Sequence, residues 1–435
     1  MAITVEVLDL IREPGAPAAP IGQPAERQHS IKRDRPRTLS FVDLTVGLVF
    51  ALSVGAAIWS LQRSMDARFL TIPAGNDVWF EGDVPTVADN VLHRWSDQSR
   101  NARHPLVPLL ATMSAYALRG AGLGDRSILA LLSAAVGAVW VALFYLIARS
   151  LTVHRLDAIV FTLLVCSTSS AMFWLAVPET YSLGSLTLLA PLALCALDEG
   201  RRFGTAWYVA ASAASLGVTT TNWMSGIFSA GGRWPWRRAL QITANALSIV
   251  VVLWAVQRLI FPTAPFFFGY SNEQRFVLPA ASGGPGPVMR VLFFHTIVMP
   301  AVAVIPEPKW GLAMSVQHSP LGSSGAWGVA ATALWAALLV STLLGLWTAA
   351  GHRRFRIVLA ATITGQVLLH LLYGEETFLY ALHVAPLFIL AAALAAGSTA
   401  WRRPILALAL ALAITAAVNN ASQLGTALAF FSRTS

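Results

Sequence analysis

The sequence predicts an all-α protein that crosses a membrane about eleven times. Three observations carry that reading. Of the 435 residues, 56% are hydrophobic and only 12% are charged, about half of the roughly 25% typical of soluble domains. The mean hydropathy is +0.62. Apolar windows of about 20 residues, enough to span a bilayer, recur between short basic loops. A soluble enzyme, a disordered chain and a nucleic-acid-binding module are excluded, because each carries more charge than this. Cys166 and Cys195 both lie in apolar runs. They supply neither a disulfide framework nor the four ligands of a structural zinc site.

Taken in order, residues 1–40 hold Pro14, Pro17, Pro20, Pro24 and Pro36 among mixed charges. They read as a disordered cytoplasmic tail. Residues 41–435 then form one transmembrane domain. Full spans are expected near 41–62, 127–148, 156–176, 180–198, 238–260, 326–350, 355–372, 378–400 and 404–420. Two shorter apolar pieces, 205–218 and 220–231, meet at Thr219-Thr220-Thr221-Asn222. They read as short helices joined at a polar break, which in a membrane lines a cavity. The first span lies too far into the chain for a cleavable signal peptide and is expected to act as an uncleaved anchor.

Basic loops set the orientation. With a cytoplasmic N-terminus, 18 of the 30 basic residues and nine of the 21 acidic ones fall inside. The whole net charge of +9 then lies on one face, so it reports topology and calls for no nucleic acid or other polyanion. Two long outer loops follow, 63–126 and 261–325. The first turns apolar from Leu106 to Leu118, read as a helix lying in the interface. A crossing there would turn every later basic loop outward. The second contains Gly283-Gly284-Pro285-Gly286-Pro287, and loops of such length are usually functional or disordered. Chemistry is therefore expected on the outer face.

The densest polar cluster is Asn76-Asp77-Val78-Trp79-Phe80-Glu81-Gly82-Asp83-Val84-Pro85, followed by Asp89, His93, Arg94, Asp97, Arg100, Arg103 and His104-Pro105-Leu106. Carboxylates at a span end, facing an electropositive stretch, suit a general base beside an anion site. Trp79 and Phe80 press these acids toward the membrane boundary. Glu179 is the second candidate, at the junction of two spans in Pro178-Glu179-Thr180-Tyr181. A capping carboxylate at a helix start explains it equally in structural terms. Tyr373-Gly374-Glu375-Glu376-Thr377-Phe378-Leu379-Tyr380-Ala381-Leu382-His383 is the third. Tyr380 and His383, three apart, share a helical face. An interfacial aromatic belt accounts for the tyrosines but not for the two glutamates and the histidine. Asn222 sits at the helix break, while His295, Arg275 and Glu307 are single signals. No Walker-type, dinucleotide or HExxH motif occurs.

Together these clusters resemble the GT-C superfamily of membrane glycosyltransferases, in particular bacterial relatives of the protein O-mannosyltransferase and aminoarabinose transferase group. The segments that carry the resemblance are Val78 to Pro85, Arg103 to Leu106, Phe173 to Leu183 and Tyr373 to His383. The resemblance implies inverting transfer of a sugar from a polyprenyl-phosphate donor to a lipid, glycan or protein acceptor, on the outer face of the bacterial cytoplasmic membrane. It implies Asp83 as general base, Glu179 as a second acid of the same cavity and His104 as the motif histidine. Arg103 or Arg275 would stabilise the leaving phosphate. Glu81, Tyr181, Asn222, Glu375, Tyr380 and His383 are the other expected substrate contacts. No cofactor is required and no carboxylate trio demands a metal, which leaves room for a bound divalent cation. The chain departs from the pattern in having a single proline after His104 and no soluble domain after the last helix. A lipid or small-solute transporter or flippase is the second reading. It is disfavoured because no repeat is evident and the acids gather at one face rather than at mid-membrane.

Overall fold

The computed structural model describes residues 39–433 except 72–76, 153, 199–202, 269–273, 275, 308–310, 349–350 and 398–399. Arg275 and nearly all of the proline-rich tail thus lie outside the described residues. The described chain runs α1 (Phe41–Ser64), α2 (Val84–Leu92), α3 (Met113–Gly120), α4 (Asp125–Leu151), α5 (Arg155–Ser167), α6 (Ser169–Trp174), α7 (Thr180–Leu197), α8 (Thr205–Val218), α9 (Trp223–Arg233), α10 (Trp236–Ile260), α11 (Pro285–Arg290), a hairpin of β1 (Ala303–Glu307) and β2 (Gly311–Ser315), α12 (Ala326–Thr348), α13 (Arg353–Leu372), α14 (Ala381–Ala395) and α15 (Arg402–Arg433).

Eight of these helices are long and apolar enough to cross a membrane: α1, α4, α7, α10, α12, α13, α14 with the turn before it, and α15. The protein is an integral membrane protein. The other three expected spans correspond to shorter helices. The window 156–176 is not continuous, because Thr168 is extended between α5 and α6 and its hydroxyl accepts from Ala171 N. Ser167-Thr168-Ser169-Ser170 supplies hydroxyls that compete with the helix ladder. At 1.5 Å per residue, α8 with 14 residues and α9 with 11 rise only about 21 and 16 Å. They meet at Thr219–Asn222, where the sequence breaks. The last helix runs on past the expected end at 420.

The core centres on α14, buried along its whole length and packed by α4, α5, α7, α12 and α13. By contrast, α1 leaves Phe41, Leu44, Leu48, Val49 and Leu52 exposed, the pattern of a lipid-facing span. Three buried acids tie the helix ends at one side of the bundle. Asp43 pairs with Arg149 (2.9 Å) and Arg155 (2.7 Å), Asp157 with Arg402 (2.8 Å), and Asp198 with Arg233 (2.6 Å). At the opposite end the two long loops fold against each other. The hairpin, in register from Ala303↔Ser315 to Glu307↔Gly311, docks through Met314 N donating to Val78 O (2.8 Å).

Candidate active site

Asp83 owes its position to the aromatic turn before it. Gly82 N donates to Trp79 O at 2.8 Å, while Phe80 and Glu81 hold φ of 51° and 59°. Non-glycine residues rarely adopt that region. Burial offsets the cost: Trp79 and Phe80 are fully buried, packed edge-on and tilted against Phe173 and Phe378 at centroid distances of 5.1–5.7 Å. Gly82 is required, because a Cβ there would lie 2.9 Å from Trp79 O and 3.2 Å from the Trp174 ring. Asp83 then precedes α2, whose first turn contains Pro85, and its side chain makes no capping bond.

Its carboxylate instead forms an ion pair with Arg100 Nη1. Nη2 of the same guanidinium donates to Glu179 Oε1 (2.9 Å) and to Thr180 Oγ1 (3.2 Å). One arginine therefore links the acid of the first long loop to the acid at the start of α7. Glu179 also caps α7, accepting from Thr180 N, so its structural role and its place in the cluster coexist. The Arg100 guanidinium lies 5.7 Å from the Tyr181 ring centroid.

His104 is buried and bonded at both ring nitrogens. Nδ1 donates to Val218 O (2.7 Å), which leaves Nε2 to accept the Thr180 hydroxyl (3.0 Å). The next residues are stitched to the helix break: Leu106 N donates to Gly217 O (2.7 Å) and Thr220 N to Arg103 O (3.0 Å). A second proline at position 106 would abolish the first of these bonds, which accounts for the single proline after His104. Beyond His104, Asn222 Nδ2 donates to Gly184 O (3.1 Å) and reaches His383 Nε2 (3.4 Å), while Gln366 donates to Asn222 Oδ1 (3.0 Å). His370 continues the chain to Gln366 (3.2 Å) and stacks on Tyr380 with centroids 4.1 Å apart. Tyr181 closes the ring of contacts at 5.6 Å from Tyr380 and 5.8 Å from His383.

The electrostatics follow from burial and from Arg100. Burial raises Glu179 above the usual carboxylate range, against the pull of Arg100. Burial and then Arg100 push His104 well below its ordinary value, so the imidazole is neutral. A second acidic group lies beside the first. Burial raises Glu81 to about 8, reinforced by Glu376, Glu375 and Asp77. Glu376 is pushed up to about 7 by burial, although Ser315 Oγ (2.5 Å) and Val316 N (3.3 Å) donate to it.

The fold thus gathers Asp83, Glu179, His104 and Tyr181 directly, and joins Asn222, Tyr380 and His383 through Tyr181 and α7. Arg100 pairs with both acids, and the Arg103 guanidinium lies 4.9 Å from the Phe276 ring centroid. Of the glutamate pair, Glu376 is the buried, bonded member and Glu375 is half-buried. Arg100, Thr180 and Gln366 were not singled out as contacts from sequence. Arg100 appeared there only as one member of the electropositive stretch after the acidic cluster. Among the described residues, no group of three or more His, Cys, Asp or Glu side chains is arranged to hold a metal ion.

The chain matches no family model and no curated protein. Its fold does match a solved structure. The crystal structure of ArnT from Cupriavidus metallidurans bound to undecaprenyl phosphate aligns with a TM-score of 0.56, covering 88% of this chain and 78% of that one at 13% identity. At that identity the match is one of fold: the chain shares the helical architecture of ArnT.

Proposed function

We propose that the protein transfers a sugar from a polyprenyl-phosphate carrier to an acceptor hydroxyl, with inversion, at the outer face of the bacterial cytoplasmic membrane. One observation carries the reading. Asp83 and Glu179, almost a hundred residues apart in sequence, share the Arg100 guanidinium at the loop-covered end of an ArnT-like bundle. The outer placement rests on the basic loops and on the arginine-tied helix ends at the opposite side.

In this reading the carrier's tail stays in the bilayer and its phosphate sits at the interface. The acceptor oxygen forms the new bond to the sugar's anomeric carbon as its proton passes to Asp83. The old carbon–oxygen bond breaks with its electron pair leaving on the polyprenyl phosphate. That phosphate is a better leaving group than an alkoxide, so no acid partner is needed, unlike the carboxyl pair of a glycosidase. Arg103, half-exposed beside Phe276, is the proposed phosphate contact within the described residues, with Arg275 the second candidate. Glu179 orients Arg100, and Arg100 orients Asp83. Neutral His104 holds Thr180, and with it the start of α7. Tyr181 and Tyr380 offer ring faces to the sugar, while Glu81, Asn222, Glu375 and His383 complete the wall.

The test is an assay of membranes containing the protein with radiolabelled polyprenyl-phosphate sugars, followed by identification of the labelled product. Labelling that requires the protein and yields the inverted anomer supports the proposal. Absence of transfer from every such donor, with normal protein levels, overturns it.

A further inference from the structure

A cleft with two adjoining spaces, which share Val87, Val91, Val107 and Thr180 as walls, lies between the flank of α4 and Arg100. At its mouth Leu132, Val136 and Leu183 are half-exposed, next to lipid-facing Leu131 and Val139 on the same span. Its inner walls are the buried Val87, Val91 and Val107, and this apolar part has a volume of about 70 Å³. Glu179 and Thr180 border it too. The same valines and Thr180 also border an adjoining space of about 10 Å³, the inner end, lined by Asn90, Gln98, Arg100 and Asn101.

The inner end is polar and, among the described residues, unsatisfied. Asn90 Nδ2 and Oδ1, Gln98 Oε1, Arg100 Nε and Asn101 Nδ2 have no hydrogen-bond partner, although these residues are at most 7% exposed. Buried polar groups are rarely left unpaired, and five around one small space specify an occupant that both donates and accepts. A hydroxyl does both. Charge excludes a phosphate here, because the single positive charge of Arg100 is already shared by two carboxylates. The volume excludes a sugar ring and admits one hydroxyl or one water. The apolar mouth lies on a membrane-spanning helix, so the occupant arrives from the lipid phase.

We propose that this cleft binds the hydroxyl end of a neutral, lipid-like alcohol, seated between the valines with its oxygen among Asn90, Gln98, Asn101 and Arg100. The alcohol oxygen then lies beside the guanidinium that also holds Asp83.

The full-length protein, reconstituted in phosphatidylcholine vesicles, is photolabelled with three diazirine probes of equal chain length, namely a long-chain alcohol, the corresponding alkane and the corresponding fatty acid. Labelled peptides are then mapped by mass spectrometry. The alcohol is expected to label the Val87–Val91 and Leu129–Val136 segments several-fold more than either other probe. Ala111→Trp, at the mouth, is expected to block that labelling, and Asn101→Leu to erase the preference for alcohol over alkane. Equal labelling by alcohol and alkane in the unmodified protein overturns the proposal, because the cleft then holds bulk lipid with water at its end. Displacement of the alcohol by stoichiometric undecaprenyl phosphate also overturns it, by assigning the cleft to the carrier. The readout is binding alone. A missing sugar transfer therefore refutes the glycosyltransferase reading without touching this result, and the reverse also holds.

Discussion

Arg100 carries one charge against two carboxylates, so its removal strands both in or near a low-dielectric site. Arg100→Met is expected to lower transfer by on the order of 10²-fold or more per folded molecule. Arg100→Lys is expected to recover only part of it, because a point charge cannot span two partners as a guanidinium fork does. Equal activity of the Lys variant and the parent would show that the fork is not needed. Glu179 can be separated from its capping role in the same way. A cap alone is worth about 1 kcal/mol and leaves turnover unchanged, whereas an orienting acid lowers turnover in Glu179→Gln. That loss is not expected to add to the loss in Asp83→Asn, since groups acting as a unit are non-additive. The raised pair Glu81 and Glu376 sets a pH signature. With ordinary glutamate values near about 4.3 and folded values of about 8 and about 7, the folded protein binds more protons than the unfolded chain in between. Stability therefore falls as pH rises across that window, and Glu81→Gln should flatten the fall in thermal-unfolding scans in detergent. Asp83, Glu179 and His104 were legible as single residues because each sits in a short motif. Arg100 was not, because its meaning comes from partners 17 and 79 residues away.

At the scale of elements, the sequence was most legible where hydropathy changes sharply. The break at Thr219–Asn222 appears where four polar residues interrupt an apolar run, and the apolar stretch after Leu106 is helical to Gly120. The split of 156–176 was missed because a hydropathy window averages over Ser167–Ser170, while hydrogen bonding responds to them locally. The β-hairpin of the second loop was missed for a different reason. Its strands are five residues each, and β2 is held by Val78 from the other long loop, a contact no local pattern announces. Close helix contact at the site depends on Gly184, where a Cβ would lie 2.7 Å from both His383 Nε2 and Thr219 Oγ1. Gly184→Ala is expected to cost about 1–3 kcal/mol by overpacking, seen as a lower thermal midpoint together with reduced transfer. An unchanged midpoint would mean that α7 and the α8–α9 break can part without loss.

Over the whole molecule, the charge pattern and the fold assign different jobs to the two ends of the bundle. One end is tied by Asp43, Asp157 and Asp198 to arginines, and the other holds Glu179 and Glu376, the other buried acids among the described residues. A reporter active only in the cytoplasm, fused after α15, should therefore stay inactive, and activity there would reverse the topology and both loop assignments. The central claim is that Asp83 is the base of a sugar transfer. Its most direct measurement is transfer per folded molecule from a radiolabelled polyprenyl-phosphate sugar, comparing Asp83→Asn with Asp77→Asn and Glu81→Gln. The account predicts a loss on the order of 10² or more for Asp83→Asn, at normal protein level, with the neighbouring variants far less affected. An active Asp83→Asn beside an inactive Asp77→Asn or Glu81→Gln would contradict it.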